Sequence, residues 1–221
     1  MRIGLITYNK PHLKTQQLFH GFLKKNFSVS FFITPFKKYN KKKVENKFPH
    51  RPYQFVGEDI KILAEKYKIR IFKISEIVKL QNAFDYFIVA GSGILPKPIL
   101  KEKIINCHSG LIPFTRGLDS FKWAILKMHQ LGNTLHFINE DTDLGKIIYQ
   151  EYTEVLSHDN YNTLSKRHYE NEINLLINFK YFLDNPNNMK LKNQKNTFRM
   201  NASNEEKMMQ NFEKYIKKFS K

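Results

Sequence analysis

The sequence predicts an α/β protein built on an open, mostly parallel sheet with helices on both faces. Short apolar runs, such as Ile3 to Thr7 and Asp85 to Ala90, have the pattern of strands buried on both sides, as parallel sheets require. Between the runs lie segments with apolar residues at helical spacing. That alternation of strand and helix is what a parallel sheet with crossover helices produces. Ligands of such sheets bind beyond the carboxyl ends of the strands, so the strand ends are where chemistry is sought.

Ile3 to Thr7 opens the chain as the first strand, and Leu18 and Phe22 mark the inward stripe of a helix over residues 13–25. Val29 to Thr34 is the second strand. Pro35 to Tyr53 turns polar and basic, carries three prolines and has no periodicity, which predicts a long surface loop. Gly57 to Tyr67 reads as a helix, Ile69 to Ile74 as extended, and Asp85 to Ala90 as a strand. It runs into Gly91-Ser92-Gly93, small residues that let backbone amides approach a ligand. Lys103 to His108 is a strand, Phe121 to His129 a helix around Trp123, and Asn133 to Ile138 a further strand. Lys146 to Val155 adds another strand, followed by a long amphipathic helix from Asp159 to Leu183 with Ser157 or Asp159 as its cap. From Asn185 the chain is polar, with nine Lys or Arg against three Glu, and is expected to close with a short helix around Phe212 and Ile216. The expected division is therefore one domain over residues 1–184 and a C-terminal extension over 185–221.

Composition narrows the functional classes. With 41% hydrophobic residues the chain can bury a core, which excludes a wholly disordered protein. The formal charge of +17 points towards anionic partners, but only six of the 37 basic residues are arginine. Arginine is the residue that planar phosphate and base recognition favours, so a lysine excess is the weaker sign of nucleic acid. Lys-rich coding at tolerant surface positions explains it more simply. A basic nucleic-acid-binding protein without enzymatic activity remains the alternative of another class. The single cysteine, Cys107, forms no intrachain disulfide and suits a reducing cytoplasm. No run approaches the ~18 apolar residues of a membrane helix, the apolar start is too short for a signal peptide, and no metal-ligand spacing is present.

The segment IINCHSGLIPFTRGLDSFKWAI, Ile104 to Ile125, carries the chemistry. Strand alternation puts Asn106 and His108 on one face and turns Cys107 to the other, where a small core residue is expected rather than a nucleophile. Ser109, Gly110, Pro113, Arg116 and Gly117 follow as a turn-rich loop. A second segment, TLHFINEDTDLGKII, Thr134 to Ile148, brings Glu140, Asp141 and Asp143 to a strand end, with too few ligands at calcium spacing for a metal loop. From spacing alone these remain either a site or ordinary polar loop residues.

Together the two segments resemble the folate-dependent formyltransferases. Asn106-Cys107-His108 continues through Leu111-Ile112-Pro113 to Arg116-Gly117, and Asp141-Thr142-Asp143-Leu144-Gly145 follows with Asp143 about thirty-five residues past the histidine. The resemblance covers Asp85 to Ile148 well and the first strand loosely. It implies a Rossmann-like fold, 10-formyltetrahydrofolate as donor, an amine as acceptor, and Asn106, His108 and Asp143 as the catalytic trio. Asn106 would donate its amide to the formyl oxygen. His108 would either donate a hydrogen bond when protonated or take the amine's proton when neutral, and Asp143 would hold the imidazole. By the same resemblance the folate lies against the backbone of Gly93, Ile94 and Leu95 and of Asn139, Glu140, Asp141 and Thr142. Lys10, Ser109, Gly110 and Arg116 are the expected acceptor contacts.

Three relatives of that family divide by acceptor. Enzymes of glycinamide ribonucleotide place a glycine-rich phosphate loop after the first strand, where this chain has Thr7-Tyr8-Asn9-Lys10-Pro11. Methionyl-tRNA enzymes carry an added β-barrel domain, for which the residues after Asn185 are too few. Sugar N-formyltransferases fit best. The expectation is a nucleotide-linked amino sugar, dTDP-linked for preference, as acceptor, with a homodimer formed through the C-terminal part.

Overall fold

The computed structural model describes residues 1–36, 47–93, 95, 103–138, 145–189 and 196–221. In chain order the elements are β1 (Arg2–Tyr8), α1 (Leu13–Lys24), β2 (Ser28–Thr34), α2 (Ile60–Lys66), β3 (Ile71–Lys73), α3 (Ile77–Leu80), β4 (Tyr86–Val89) and β5 (Ile104–His108). They continue with α4 (Ser120–Leu126), β6 (Gly132–Phe137), β7 (Ile147–Tyr152), α5 (Tyr161–Ile177), α6 (Phe179–Asp184), α7 (Ala202–Gln210) and α8 (Phe212–Phe219). The strands form one sheet in the order β3-β2-β1-β4-β5-β6-β7. Pairings from β3 across to β5 are all parallel. The chain winds outward from β1 to β3 and then restarts on the other side of β1, so the switch point lies between β1 and β4. The exception to parallel order is β6. Ile138, just past its end, donates to the Ile104 carbonyl at the start of β5 (2.8 Å), and β6 pairs antiparallel with β7. The predicted open, mostly parallel sheet is what forms.

Two compact units divide the chain. The first holds β1 to β4 and the start of β5. Its core gathers Ile6, Phe32, Phe84, Phe87, Val89, Leu95 and Ile104. Phe32 meets Phe84 and Phe87 edge to face with centroids 5.2 Å apart, the arrangement ring quadrupoles favour. On α1 the predicted inward stripe is fully buried at Leu18, Phe19 and Phe22. Asp59 caps α2 by accepting from the Lys61 amide (2.9 Å), one of the donors a helix start leaves unmatched.

The second unit is built by α4, β7 and α5 to α8 with most of β6. Two sequence expectations are corrected here. The predicted single helix from Asp159 to Leu183 is two helices, α5 and α6, parted at Asn178, whose side chain donates to the Asn174 carbonyl (3.0 Å). Asparagine competes for backbone groups in this way and favours helix ends. The cap is Asn160, accepting from the amides of Asn162 and Thr163 (2.9 and 3.0 Å), while Asp159 pairs instead with Arg167 (2.6 Å).

The polar C-terminal stretch holds two helices rather than one. Met208, Phe212, Tyr215 and Ile216 from it join Phe121, Ile125 and Leu164 in one buried cluster. Beside them Lys122 and Glu205, 0% and 1% exposed, form an ion pair. Part of the expected surface loop is likewise held down. Residues 47–52 lie in this unit, with the Lys47 amide on Glu205 (2.8 Å) and the Phe48 carbonyl accepting from the Tyr161 hydroxyl (2.9 Å). His50 stacks on Phe121 at 5.6 Å, and Arg51 reaches Glu172 through its two terminal guanidinium nitrogens (2.6 and 3.3 Å). Among the described residues no helix is long and apolar enough to cross a membrane.

Candidate active site

Strand β5 delivers Asn106, Cys107 and His108 in succession. Cys107 is buried at 4% exposure, as expected of a small core residue, Asn106 is half-buried, and His108 is 9% exposed. The chain then folds back over the strand end, and the imidazole is clamped from that loop. His108 Nε2 lies 3.0 Å from the Thr115 carbonyl oxygen and 3.2 Å from Ser120 Oγ. A carbonyl can only accept. The Ser120 hydroxyl donates its one proton to the Gly117 carbonyl (3.0 Å), so its oxygen accepts as well. Both partners therefore require a hydrogen on Nε2, and the lone pair of the neutral ring sits on Nδ1.

Gly110 makes the clamp possible. A Cβ there would fall 2.7 Å from the Thr115 carbonyl oxygen and 2.8 Å from His108 Nε2, between the ring and its partner. Gly117 has φ of +93°, and a Cβ would fall 2.2 Å from the Thr197 carbonyl oxygen, so the loop's exit also depends on glycine. The Thr115 hydroxyl accepts from the Leu111 amide (2.8 Å), closing the loop on itself.

Behind this loop stands a histidine that sequence spacing did not single out. Ser109 Oγ lies 2.8 Å from His168 Nε2 on α5, and Thr153 Oγ1 lies 2.6 Å from His168 Nδ1. The His168 carbonyl accepts from Asn133 Nδ2 (3.1 Å). Burial pushes the His168 imidazole down to about 3, outweighing the opposite pull of Glu172, with Arg51 and His108 adding to the depression. His168 is therefore neutral near pH 7. Burial likewise holds His50 well below the usual histidine range, with Arg51 and Lys122 next in effect.

The other expected contacts distribute unevenly. Leu95 turns its side chain into the core of the first unit, 8% exposed. Gly93 is exposed, with nothing within 4 Å of where a Cβ would stand. Ser109 spends its hydroxyl on His168, and Gly110 is buried against the clamp. Arg116 is half-buried, and its carbonyl accepts from the amide and hydroxyl of Thr197 (2.8 and 2.7 Å). Lys10 is exposed, with Nζ 4.4 Å from the centroid of Phe36. Ile94, Asn139, Glu140, Asp141, Thr142 and Asp143 lie outside the described residues. No group of three or more His, Cys, Asp or Glu among the described residues could hold a metal ion.

A sequence profile of the formyl transferase family matches residues 32–179, well over half of the chain, and the chain belongs to that family. A methionyl-tRNA formyltransferase of Prochlorococcus marinus (strain NATL2A) is 30% identical over 121 residues, which are 49% of this chain and 36% of the relative. With further matches covering 27% and 40% of their relatives, the chain spans about a third of the length of the curated relatives it matches. Among solved structures, a phosphoribosylglycinamide formyltransferase from Anaplasma phagocytophilum superposes with a TM-score of 0.59 at 22% identity, covering 84% of this chain and 88% of that one. The formyltransferase PseJ from Anoxybacillus kamchatkensis, solved with UDP-4,6-dideoxy-4-formamido-L-AltNAc and tetrahydrofolate, gives 0.54 at 17% identity, covering 100% and 98%. At such identities the likeness is one of fold.

Proposed function

We propose that the protein is an N-formyltransferase that moves the formyl group of 10-formyltetrahydrofolate to the amino group of a nucleotide-linked amino sugar. The observation that carries it is the clamp on His108, which leaves Nδ1 as the basic nitrogen of a nearly buried imidazole two residues from Asn106 on the same strand. An amine that attacks a formyl carbon must lose a proton, and Nδ1 is the atom that would take it, work typically worth ~100 to 10,000-fold in rate. Asn106 would meet the negative charge gathering on the formyl oxygen, a donor of the kind worth ~100 to 1,000-fold. The orienting role expected of an acid is already filled on Nε2 by the Thr115 carbonyl and Ser120. Asp143 would complete the trio as the acid that helps relay the proton.

The described residues fit a flat heterocycle at the end of β4. Gly93 leaves open space, and Leu95 commits its side chain to the core, so its main chain is what a ligand would meet. The folate, when bound there, supplies the activated formyl carbon. In this proposal residues 1–184 carry the catalytic machinery, 185–221 complete the core beneath α4, and the reaction belongs to a reducing cytoplasm, which a chain with the single cysteine Cys107 suits.

A nucleotide sugar is favoured by the end of β1, where Tyr8-Asn9-Lys10-Pro11 offers an aromatic ring and a cation in place of a glycine-rich phosphate loop. The fold shared along nearly the whole of both chains with an enzyme solved with a UDP-sugar supports the same choice. Methionyl-tRNA is the second acceptor, favoured by the sequence relatives. The test is incubation with 10-formyltetrahydrofolate and a panel of nucleotide-linked amino sugars, glycinamide ribonucleotide and methionyl-tRNA. A formyl mass gain on the sugars is expected. Gain on another class reassigns the acceptor, and gain on none overturns the proposal.

A further inference from the structure

Past the carboxyl ends of β1 and β2 five rings form a continuous run in the first unit. His12 meets Tyr8 edge to face at 5.5 Å, Tyr8 meets Phe36 at 5.2 Å, Phe36 meets Phe55 at 5.1 Å, and Phe55 meets Tyr53 at 6.1 Å. His12 also approaches Phe55 at 6.2 Å, so the run closes on itself. Its inner end is covered, His12 being 5% exposed, whereas Tyr53 is 71% and Phe55 39% exposed. Lys10 stands over the middle of the run, on the face of Phe36. The outer rings sit on backbone pinned to α1. The Leu13 amide donates to the Gln54 carbonyl (2.8 Å), and Gln16 Nε2 donates to the carbonyls of Val56 and Glu58 (3.1 and 3.3 Å). Two large rings are thus held in water by a fixed frame, an arrangement that marks a contact surface.

The location says what kind of contact. Gly91, past β4, lies so near the run that a Cβ would fall 2.8 Å from both the Tyr8 and His12 rings. The rings therefore border the switch point between β1 and β4, where open α/β sheets bind ligands. At a strand spacing of about 4.8 Å, Tyr8 on β1 is two strands, about 10 Å, from β5, which carries Asn106. Phe36, two residues beyond β2, is one strand further, about 14 Å away. A hexose, two phosphates and a ribose separate the amine of a nucleotide-linked amino sugar from its base by a comparable length. An amine at Asn106 would then place its base among the outer rings and its phosphates near Lys10.

We infer that this aromatic run is the nucleotide subsite of the acceptor, in which Tyr53 and Phe55 stack the base and Lys10 meets the diphosphate; the inference rests on the proposed reaction. The aminobenzoyl-glutamate arm of folate also joins a flat ring to an anion, so the test separates the two sources. Calorimetric titration of the full chain uses UDP, dTDP, CDP and GDP, the matching nucleosides, and 5-formyltetrahydrofolate. At least one diphosphate is expected to bind. Tyr53→Ala and Phe55→Ala should weaken that diphosphate and its nucleoside about tenfold each, the loss expected from one base-stacking ring. Lys10→Ala should weaken the diphosphate and spare the nucleoside, and all three variants should bind the folate as wild type does. No diphosphate binding, unchanged binding by the variants, or a loss that falls on the folate overturns the subsite. Formylation of an amino sugar nucleotide with an unaltered KM in these variants would also overturn it, while leaving the reaction standing. Ring-dependent diphosphate binding without formylation of any acceptor keeps the subsite and removes the reaction.

Discussion

The His108 imidazole and the Thr115 carbonyl face each other at 3.0 Å, and that contact decides which ring nitrogen is left to take a proton. The neutral ring is expected as the Nε2–H tautomer. Nitrogen-15 spectra of labelled protein, taken where the ring is neutral, check this directly, since the protonated and bare nitrogens resonate far apart. A neutral ring protonated on Nδ1 would refute the proposed base.

Gly110→Ala tests the clamp without touching the ring. The new methyl would press on both the Thr115 carbonyl and His108 Nε2. At least a tenfold fall in kcat is expected, with little change in KM for the folate. Initial rates at varied folate concentration give both constants.

Removing the base itself costs more. His108→Asn should lower kcat by about 100 to 10,000-fold. Circular dichroism and a thermal scan of the same sample establish that the fold persists, so the loss belongs to the chemistry. Wild-type turnover in the folded variant would reject the assignment.

His168 ties stability to pH. Its ordinary value is 6.5 and its folded value about 3, so between those limits the unfolded chain takes up a proton that the folded chain refuses. Stability from this residue is whole above 6.5 and falls as pH drops towards 3. His50, depressed in the same direction, adds to the slope. Denaturant titrations from pH 7 to pH 4 should show stability falling, and His168→Leu should flatten the curve by about one proton.

Lys122 and Glu205 are predicted to be indispensable to each other. Glu205→Ala leaves a buried ammonium without its partner and should destabilise the protein by about 3 to 5 kcal/mol. Replacing the pair together, with Lys122→Met and Glu205→Leu, should recover most of that. Chemical denaturation of the two variants against wild type measures both.

What could be read from the sequence was what lay close together along it. The apolar runs gave β1, β2, β4 and β5 to within a residue or two, and the short motif from Asn106 to Gly117 gave the histidine and the loop over it. The break at Asn178 was hidden because the apolar stripe continues on both sides of it. Met208, Phe212 and Tyr215 do recur at helical spacing, but among so many polar neighbours only the later helix stood out. His168 and Ser109 are 59 residues apart and Arg51 and Glu172 are 121 apart, so neither pair leaves a local trace. Such contacts exist only once the strands and helices between them have been stacked.

Lys47 carries one last consequence. Trypsin cuts where a lysine or arginine not followed by proline enters its pocket from pliable, exposed backbone, and this chain has 37 lysines and arginines in all. At Lys47 the backbone amide is held by the buried carboxylate of Glu205, the ammonium pairs with Glu206, and the carbonyl of the next residue, Phe48, is fastened by Tyr161. In a brief digestion the peptide bond after Lys47 should outlast most of its lysine-flanked competitors, and Tyr161→Phe, which releases the Phe48 carbonyl, should hasten its cleavage.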